Sequence, residues 1–219
     1  MNFNNTNFSK IVSKLIKFKS STTRIPINAT SWEELIWATL VFMYGDKNVN
    51  WDSQSHEKSV DIEVKINSKI AKISAKGGTI KNNLLTISSY RLTTFDTLYK
   101  KLEFIKNQHS KLDFYLICAR EVKTDGIVYK IIKTLPDKMA SYWMTKEKNW
   151  EKTKYGYELK KGFDFSAKIV SKMSNQLWYS IPLDYFSSKE ILAEIHIPKS
   201  DLGKDLIKFL KKQLKKFLN

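Results

Sequence analysis

The stretch Val60-Asp61-Ile62-Glu63-Val64-Lys65-Ile66, then Asn67-Ser68, then Lys69-Ile70-Ala71-Lys72-Ile73-Ser74-Ala75-Lys76-Gly77-Gly78, decides how this chain folds. It predicts two antiparallel strands joined by a two-residue turn at Asn67-Ser68. Counting outward from the turn pairs Ile66 with Lys69, Val64 with Ala71, Ile62 with Ile73, and Asp61 with Ser74. Side chains alternate between the faces of a strand. Ile62, Val64, Ile66, Ala71, Ile73 and Ala75 therefore share an apolar face. Asp61, Glu63, Lys65, Lys72, Ser74 and Lys76 share the other, which is polar apart from Ile70. A one-residue slip would scramble this division, so the pattern fixes the register. Gly77-Gly78 is expected to end the second strand and to let a ligand backbone come close.

Outward from the hairpin, the chain reads as alternating helices and strands. Phe8, Ile11, Val12, Leu15, Ile16 and Phe18, with lysines between them, mark an amphipathic helix over 7–18. Ser31-Trp32-Glu33-Glu34 has the form of a capping box opening a helix that runs to about Tyr44 and stops at Gly45. Residues 46–59 are polar and read as a loop or a short strand. Leu84 to Ser88 is a short strand, and 94–108 has helical spacing. Phe114 to Ala119 is a continuous apolar run, as in a central strand. Ile127 to Thr134 is one more strand. This order predicts an α/β fold with a mixed central sheet flanked by helices.

From about Leu135 the texture changes to aromatics interleaved with lysines, which predicts an aromatic-rich β elaboration in the C-terminal half. The last segment places Asp201 and Asp205 early and Lys211, Lys212, Lys215 and Lys216 late, the helical arrangement that suits its own dipole. A single domain over 1–219 is expected. Its core covers about 31–134, its elaboration about 135–199 and its terminal helix about 200–219.

The formal net charge is +16, from 38 basic and 22 acidic residues. An AT-rich coding sequence would enrich lysine, but it would enrich glutamate as well. The imbalance therefore calls for a polyanionic partner, with nucleic acid first, because lysines that neutralise phosphates release counterions. An anionic membrane surface comes second. The longest apolar run, Leu35 to Tyr44, is too short to span a bilayer. With one cysteine, Cys118, and no signal-peptide layout, a cytoplasmic location is expected. His56, His109 and His196 with that one cysteine form no spaced zinc site. No phosphate-binding loop and no serine elbow is present.

The acid, the lysine and their register resemble the PD-(D/E)XK nuclease superfamily, most closely its type II restriction endonucleases. There a helix precedes a hairpin whose first strand carries a metal-binding aspartate. The second strand carries an acid, any residue, and a lysine. The resemblance covers roughly 31–120. It implies Asp61 as the aspartate, Lys76 as the lysine, the backbone carbonyl of Ala75 as a further metal ligand, and Mg2+ as cofactor. Val60 stands where the family usually has proline, and Ser74 stands in place of the second acid. Glu34, on the preceding helix, is the first candidate to supply the missing carboxylate, followed by Glu33, Glu57 and Glu63. A rival alignment pairs Asp52 with Glu63-Val64-Lys65.

The activity implied is magnesium-dependent hydrolysis of double-stranded DNA, leaving a 5′-phosphate and a 3′-hydroxyl. Ser88, Ser89 and Arg91, close to a helix start at Thr93 or Thr94, are candidate phosphate contacts. Lys172, Ser174, Asn175 and Gln176 are candidates for base readout. Cutting a palindromic site implies a homodimer. Two other readings stay open: a non-catalytic basic DNA-binding protein, and a membrane-associated basic protein whose C-terminal helix lies on the lipid surface.

Overall fold

The computed structural model describes residues 3–51 and 60–217, with 213–217 as helix backbone only. Helices α1 (Asn5–Thr22) and α2 (Ala29–Tyr44) lead into β1 (Val49–Trp51), β2 (Ile62–Ile66), β3 (Lys69–Lys81) and β4 (Leu84–Arg91). After α3 (Leu98–His109) come β5 (Phe114–Val122), β6 (Gly126–Thr134) and the single turn α4 (Pro136–Met139). Short strands β7 (Trp150–Thr153), β8 (Gly156–Leu159), β9 (Ser166–Val170) and β10 (Gln176–Pro182) precede β11 (Ile191–Pro198) and α5 (Lys204–Phe217).

These strands form one 11-stranded mixed sheet. Its order is β11-β6-β5-β3-β4-β10-β9-β8-β7, with β2 and then β1 attached to β3. The β3–β5 pair is parallel and the other pairs among the described residues are antiparallel. The β2–β3 hairpin has the register counted from the sequence, from Ile66↔Lys69 to Ile62↔Ile73. Its turn residues, Asn67 and Ser68, both have positive φ, which fits the twist of a tight hairpin. The segment after Leu135 does not stand apart as a separate layer. β10 pairs with β4, and β11 returns to the opposite edge beside β6.

Two apolar layers cover the two faces. On one, Phe8, Val12 and Ile16 of α1 and Trp32, Leu35, Ile36 and Leu40 of α2 pack on Ile62, Val64, Ala71, Ile73 and Ala75. The helical i, i+3, i+4 stripe thus meets the period-two stripe of the hairpin. The Trp32 indole N–H donates to the Leu116 carbonyl at 3.0 Å, which pins α2 to the middle of the sheet. On the other face, α3 and the C-terminal aromatics, Trp150, Phe165, Tyr179 and Phe186 among them, cover Ile80, Leu85, Ile87, Tyr115 and Ile117.

Three local expectations are corrected. First, α2 begins at Ala29 under an Asn28 cap, whose side chain accepts the Ser31 N–H at 2.9 Å. The Ser31 to Glu34 box therefore lies inside the first turns of the helix. Asn caps as well as Ser does and stands three residues earlier. Second, α3 is capped by Thr97 through the Lys100 N–H, not by Thr93 or Thr94. Third, β3 does not stop at Gly77-Gly78 but runs on to Lys81. The glycines are there for room. A Cβ on Gly77 would come within 3.2 Å of the Ala29 backbone at the start of α2. One on Gly78 would stand 2.7 Å from Leu85 Cδ1 and 3.0 Å from the Thr86 carbonyl oxygen.

Close packing at Gly78 gives a first test. Gly78→Ala forces Leu85 and the β4 backbone aside, at a cost of about 1–3 kcal/mol. Urea unfolding should show this as a lowered midpoint at an unchanged slope.

Candidate active site at a gap in the sheet

One edge of β3 is shared by two strands. β2 pairs with Lys69 to Ile73, and β4 pairs with Gly78 to Lys81. Between them, Ser74 to Gly77 have no strand on that side, while β5 runs along the other edge from Ile73 to Thr79. The N–H and C=O of one strand residue point to the same edge, and the next residue points to the opposite one. The Lys72 carbonyl accepts the Asp113 N–H on the β5 side, and the Ile73 carbonyl accepts the Asp61 N–H on the β2 side, both at 2.9 Å. Ala75 has the parity of Ile73, so its polar backbone groups face the gap.

Asp61 fills that gap. Its Oδ2 accepts the Ala75 N–H at 2.6 Å, the Ser74 hydroxyl at 2.9 Å and the Lys76 ammonium at 3.3 Å. Ser74 is fully buried, and the Asp61 and Lys76 side chains are only 15% and 18% exposed. The Ala75 carbonyl looks out from the same edge as its N–H. A carboxylate, a carbonyl oxygen, a hydroxyl and an ammonium are therefore gathered at one break in the ladder.

A buried polar chain lies behind them on the α3 side. Tyr115 stands opposite Ser74 on β5. Its hydroxyl lies 3.1 Å from His109 Nδ1 and 3.3 Å from the Tyr90 hydroxyl. Burial pushes the His109 imidazole down to about 4, a hydrogen bond to the Pro136 backbone works against this, and the Lys76 ammonium adds to it. Burial also pushes the Tyr90 phenol up to about 12, with the Asp61 carboxylate adding to the rise. Sequence reasoning missed all three residues. Tyr115 reads as one more member of an apolar run, and its place beside Ser74 exists only once β3 and β5 pair.

Glu34 does not join the site. It sits on the outer side of α2, 51% exposed, in an ion pair with Lys19 of α1 at 3.4 Å. The buried stripe of α2 faces the apolar side of β3, so Glu34 cannot meet groups on the opposite side of the sheet. Glu33 lies on the same helix. Glu63 is half-buried opposite Lys72, on the face it shares with Asp61. Asp52, His56 and Glu57 lie outside the described residues. Lys65 of the rival alignment is exposed, one pair from the hairpin turn. Among the described residues, no cluster of three or more His, Cys, Asp or Glu side chains gathers anywhere.

The two candidate DNA-contact segments, distant in sequence, do come together. Ser88, Ser89 and Arg91 form the end of β4, not a helix start, and Gln176 at the head of β10 pairs with Arg91. Ser174 and Asn175 both have positive φ in the connection that leads into β10. The Asn175 carbonyl accepts the Leu92 N–H at 3.2 Å, so part of its role is to hold this corner. Lys172 is exposed in the preceding turn. No described helix is long and apolar enough to cross a membrane.

No protein-family model and no curated protein matches this chain. Among solved structures, a chain described as a restriction endonuclease in complex with substrate DNA is similar over 80% of this chain and 81% of its own length. The two share 14% sequence identity, at a TM-score of 0.39.

The buried imidazole makes stability depend on pH. His109 has an ordinary value of 6.5 and a native value of about 4. Above the ordinary value, native and unfolded chains both carry it neutral. As the pH falls toward the native value, the unfolded chain takes up a proton that the native one refuses, so stability is lost across that window. Between neutral and mildly acidic pH the loss is on the order of 2 kcal/mol. Urea unfolding at both pH values should show it in the wild type, and His109→Gln should lose correspondingly less.

Proposed function

We propose that this protein is a magnesium-dependent endonuclease that hydrolyses phosphodiester bonds of double-stranded DNA, on a restriction-endonuclease-like core and in the manner of a type II site-specific enzyme. The observation that carries this reading is the convergence of Ser74, Ala75 and Lys76 on one oxygen of Asp61 at the gap in β3. The charge of +16 supplies the long-range attraction a polyanionic substrate needs.

The donor set fits magnesium. That ion takes oxygen ligands, keeps several waters, and needs one or two carboxylates beside substrate phosphate. Asp61 offers a carboxylate and Ala75 a carbonyl oxygen facing the same gap. Ser74 adds no charge; its hydroxyl hydrogen is given to Asp61, so its part is to fix the carboxylate. Bound there, magnesium supplies Lewis acidity toward a phosphoryl oxygen and acidifies an attacking water.

The chain's own groups do the rest. The Ser74 and Ala75 donors hold Asp61 against rotation. Lys76 is pre-aimed at the same point, where its ammonium orients the water or balances the charge that grows on the non-bridging oxygens. In-line attack of the water breaks the bond to the 3′ oxygen, leaving a 5′-phosphate and a 3′-hydroxyl. Ser88, Ser89, Arg91 and Gln176, side by side at the ends of β4 and β10, supply phosphate and base-edge contacts. Lys172, Ser174 and Asn175 border them. A two-fold homodimer would present two such sites to a palindrome.

A second reading has one observation in its favour. The described site holds a single carboxylate, which also suits a protein that binds DNA without cutting it. Incubating plasmid with the protein, with and without magnesium, separates the two. Discrete fragments support the site-specific enzyme, and DNA that is shifted but uncut supports the binder.

Two further outcomes are expected. Asp61→Asn keeps an acceptor for the Ala75 N–H, and Lys76→Ala removes the ammonium. Each should lower plasmid cleavage by on the order of 10²–10³ while gel-shift affinity stays within a few-fold. Full cleavage by both variants would remove these residues from the chemistry. Ser74→Asp sets two carboxylates against each other, so without divalent ions it should melt below the wild type. Added magnesium should then raise its midpoint more than it raises the wild-type midpoint.

A further inference from the structure

The β4 strand contains an irregularity with a chemical consequence. Ser88 pairs with Trp178 and Arg91 with Gln176, so three steps on β4 span two on β10. This is a β-bulge, one extra residue on one strand. Before it, Leu85 and Ile87 point to the α3 side of the sheet. In a regular strand, residue 90 would share the opposite face with Thr86 and Ser88. The extra residue turns Tyr90 back to the α3 side, where it packs edge-on against Phe104 and His109. The Tyr90 hydroxyl lies 3.3 Å from that of Tyr115, which stands opposite Ser74 on β5, so the Tyr90 side chain reaches toward the segment that carries Lys76. Both side chains lie on the same face.

The buried chain behind Tyr90 sets the direction of its hydroxyl. Both His109 ring nitrogens lie within 3.4 Å of the Tyr115 hydroxyl, and burial keeps the imidazole neutral at ordinary pH. A neutral imidazole keeps one unprotonated nitrogen, and whichever it is lies within reach to accept the Tyr115 hydrogen. With its hydrogen on His109, Tyr115 accepts from Tyr90 across 3.3 Å. The Tyr90 oxygen is left with lone pairs and no hydrogen to give toward the gap.

We infer that Tyr90 is a positioning residue for Lys76: its oxygen is the acceptor that holds the Lys76 ammonium when Asp61 turns to another cation. The inference rests on the nuclease reading for its purpose but not for its geometry. In the structure Lys76 leans on Asp61. A carboxylate engaged elsewhere releases the ammonium, which would swing into solvent unless a second acceptor stood across the gap. Tyr90 supplies that acceptor, and the Tyr115–His109 chain offers a place for its hydrogen away from the gap.

The test measures the hydrogen exchange rate of the Lys76 ammonium by nitrogen-15 NMR, with the signal assigned by its loss in Lys76→Arg. Asp61→Asn stands in for a carboxylate that is no longer an anion. Tyr90→Phe keeps the ring and its packing. In the Asp61→Asn background, Tyr90→Phe should speed the exchange about threefold or more, the scale of one lost hydrogen bond. Equal rates in the two Asp61→Asn proteins overturn the inference, whether or not the wild type cuts DNA. Where it does cut, Tyr90→Phe should lower kcat by about ten- to a hundredfold with KM unchanged. An unchanged kcat would also overturn it. A wild type that cuts nothing refutes the nuclease reading and leaves the exchange result to stand on its own.

Discussion

The arrangement depends on one backbone group, the N–H of Ala75. It lies where β2 has ended and β4 has not begun, on a residue 2% exposed. A buried donor without a partner costs about 1–3 kcal/mol, so this position demands an acceptor. Asp61 answers it with a carboxylate, because Asp61 stands directly before β2 and its own N–H still bonds the Ile73 carbonyl. The break in the ladder and the acidic residue thus explain each other. A strand pairing in place of the gap would satisfy Ala75 but would leave no room for a carboxylate, an ammonium or a ligand.

The two faces of the sheet divide the work. The α1–α2 face is dry, built on Phe8, Trp32, Ile36 and the inner stripe of the hairpin. It fixes β2 against β3 and thereby sets where Asp61 emerges. The α3 face mixes apolar packing with a polar seam of Tyr90, Tyr115 and His109, in which Tyr115 stands opposite the Ser74 that bonds Asp61. Buried polar seams rigidify when each member has a partner. That seam is therefore suited to hold a small number of groups in fixed orientation, which a loosely packed aromatic floor would not do.

Much of this was legible in the sequence, and the misses have physical causes. The hairpin register followed from alternation and a turn that only short polar residues occupy comfortably. The Asp61, Ser74 and Lys76 convergence followed from that register. Gly77-Gly78 misled, because a glycine pair in a strand pattern reads as an end, whereas here each hydrogen makes way for a neighbour found only in three dimensions. Glu34 misled although a signal was present: Trp32, Leu35, Ile36 and Leu40 define the buried side of α2, and Glu34 points away from it. Tyr90 could not be read at all, since a bulge changes the parity of everything beyond it and leaves no mark in composition. Arg91 and Gln176 were singled out separately, and only the β4–β10 pairing makes them neighbours.

The serine at position 74 bears on how such a site would work. A second carboxylate would strengthen the grip on a cation, but it would also stand close to an incoming phosphate and repel it. With one carboxylate, the hold on the ion is weaker and the repulsion smaller. On the proposed reading the missing negative charge comes from the DNA itself, because a phosphate entering the gap brings the anionic oxygen that Ser74 lacks. Cation and substrate would then stabilise each other's binding, as linkage requires of any two ligands that favour the same state. A chain of net charge +16 favours that order of events, since it draws the polyanion in before any cation is firmly held. The same argument accounts for the buried hydroxyl: a neutral donor at position 74 satisfies Asp61 while the substrate is absent and asks for no counter-charge of its own.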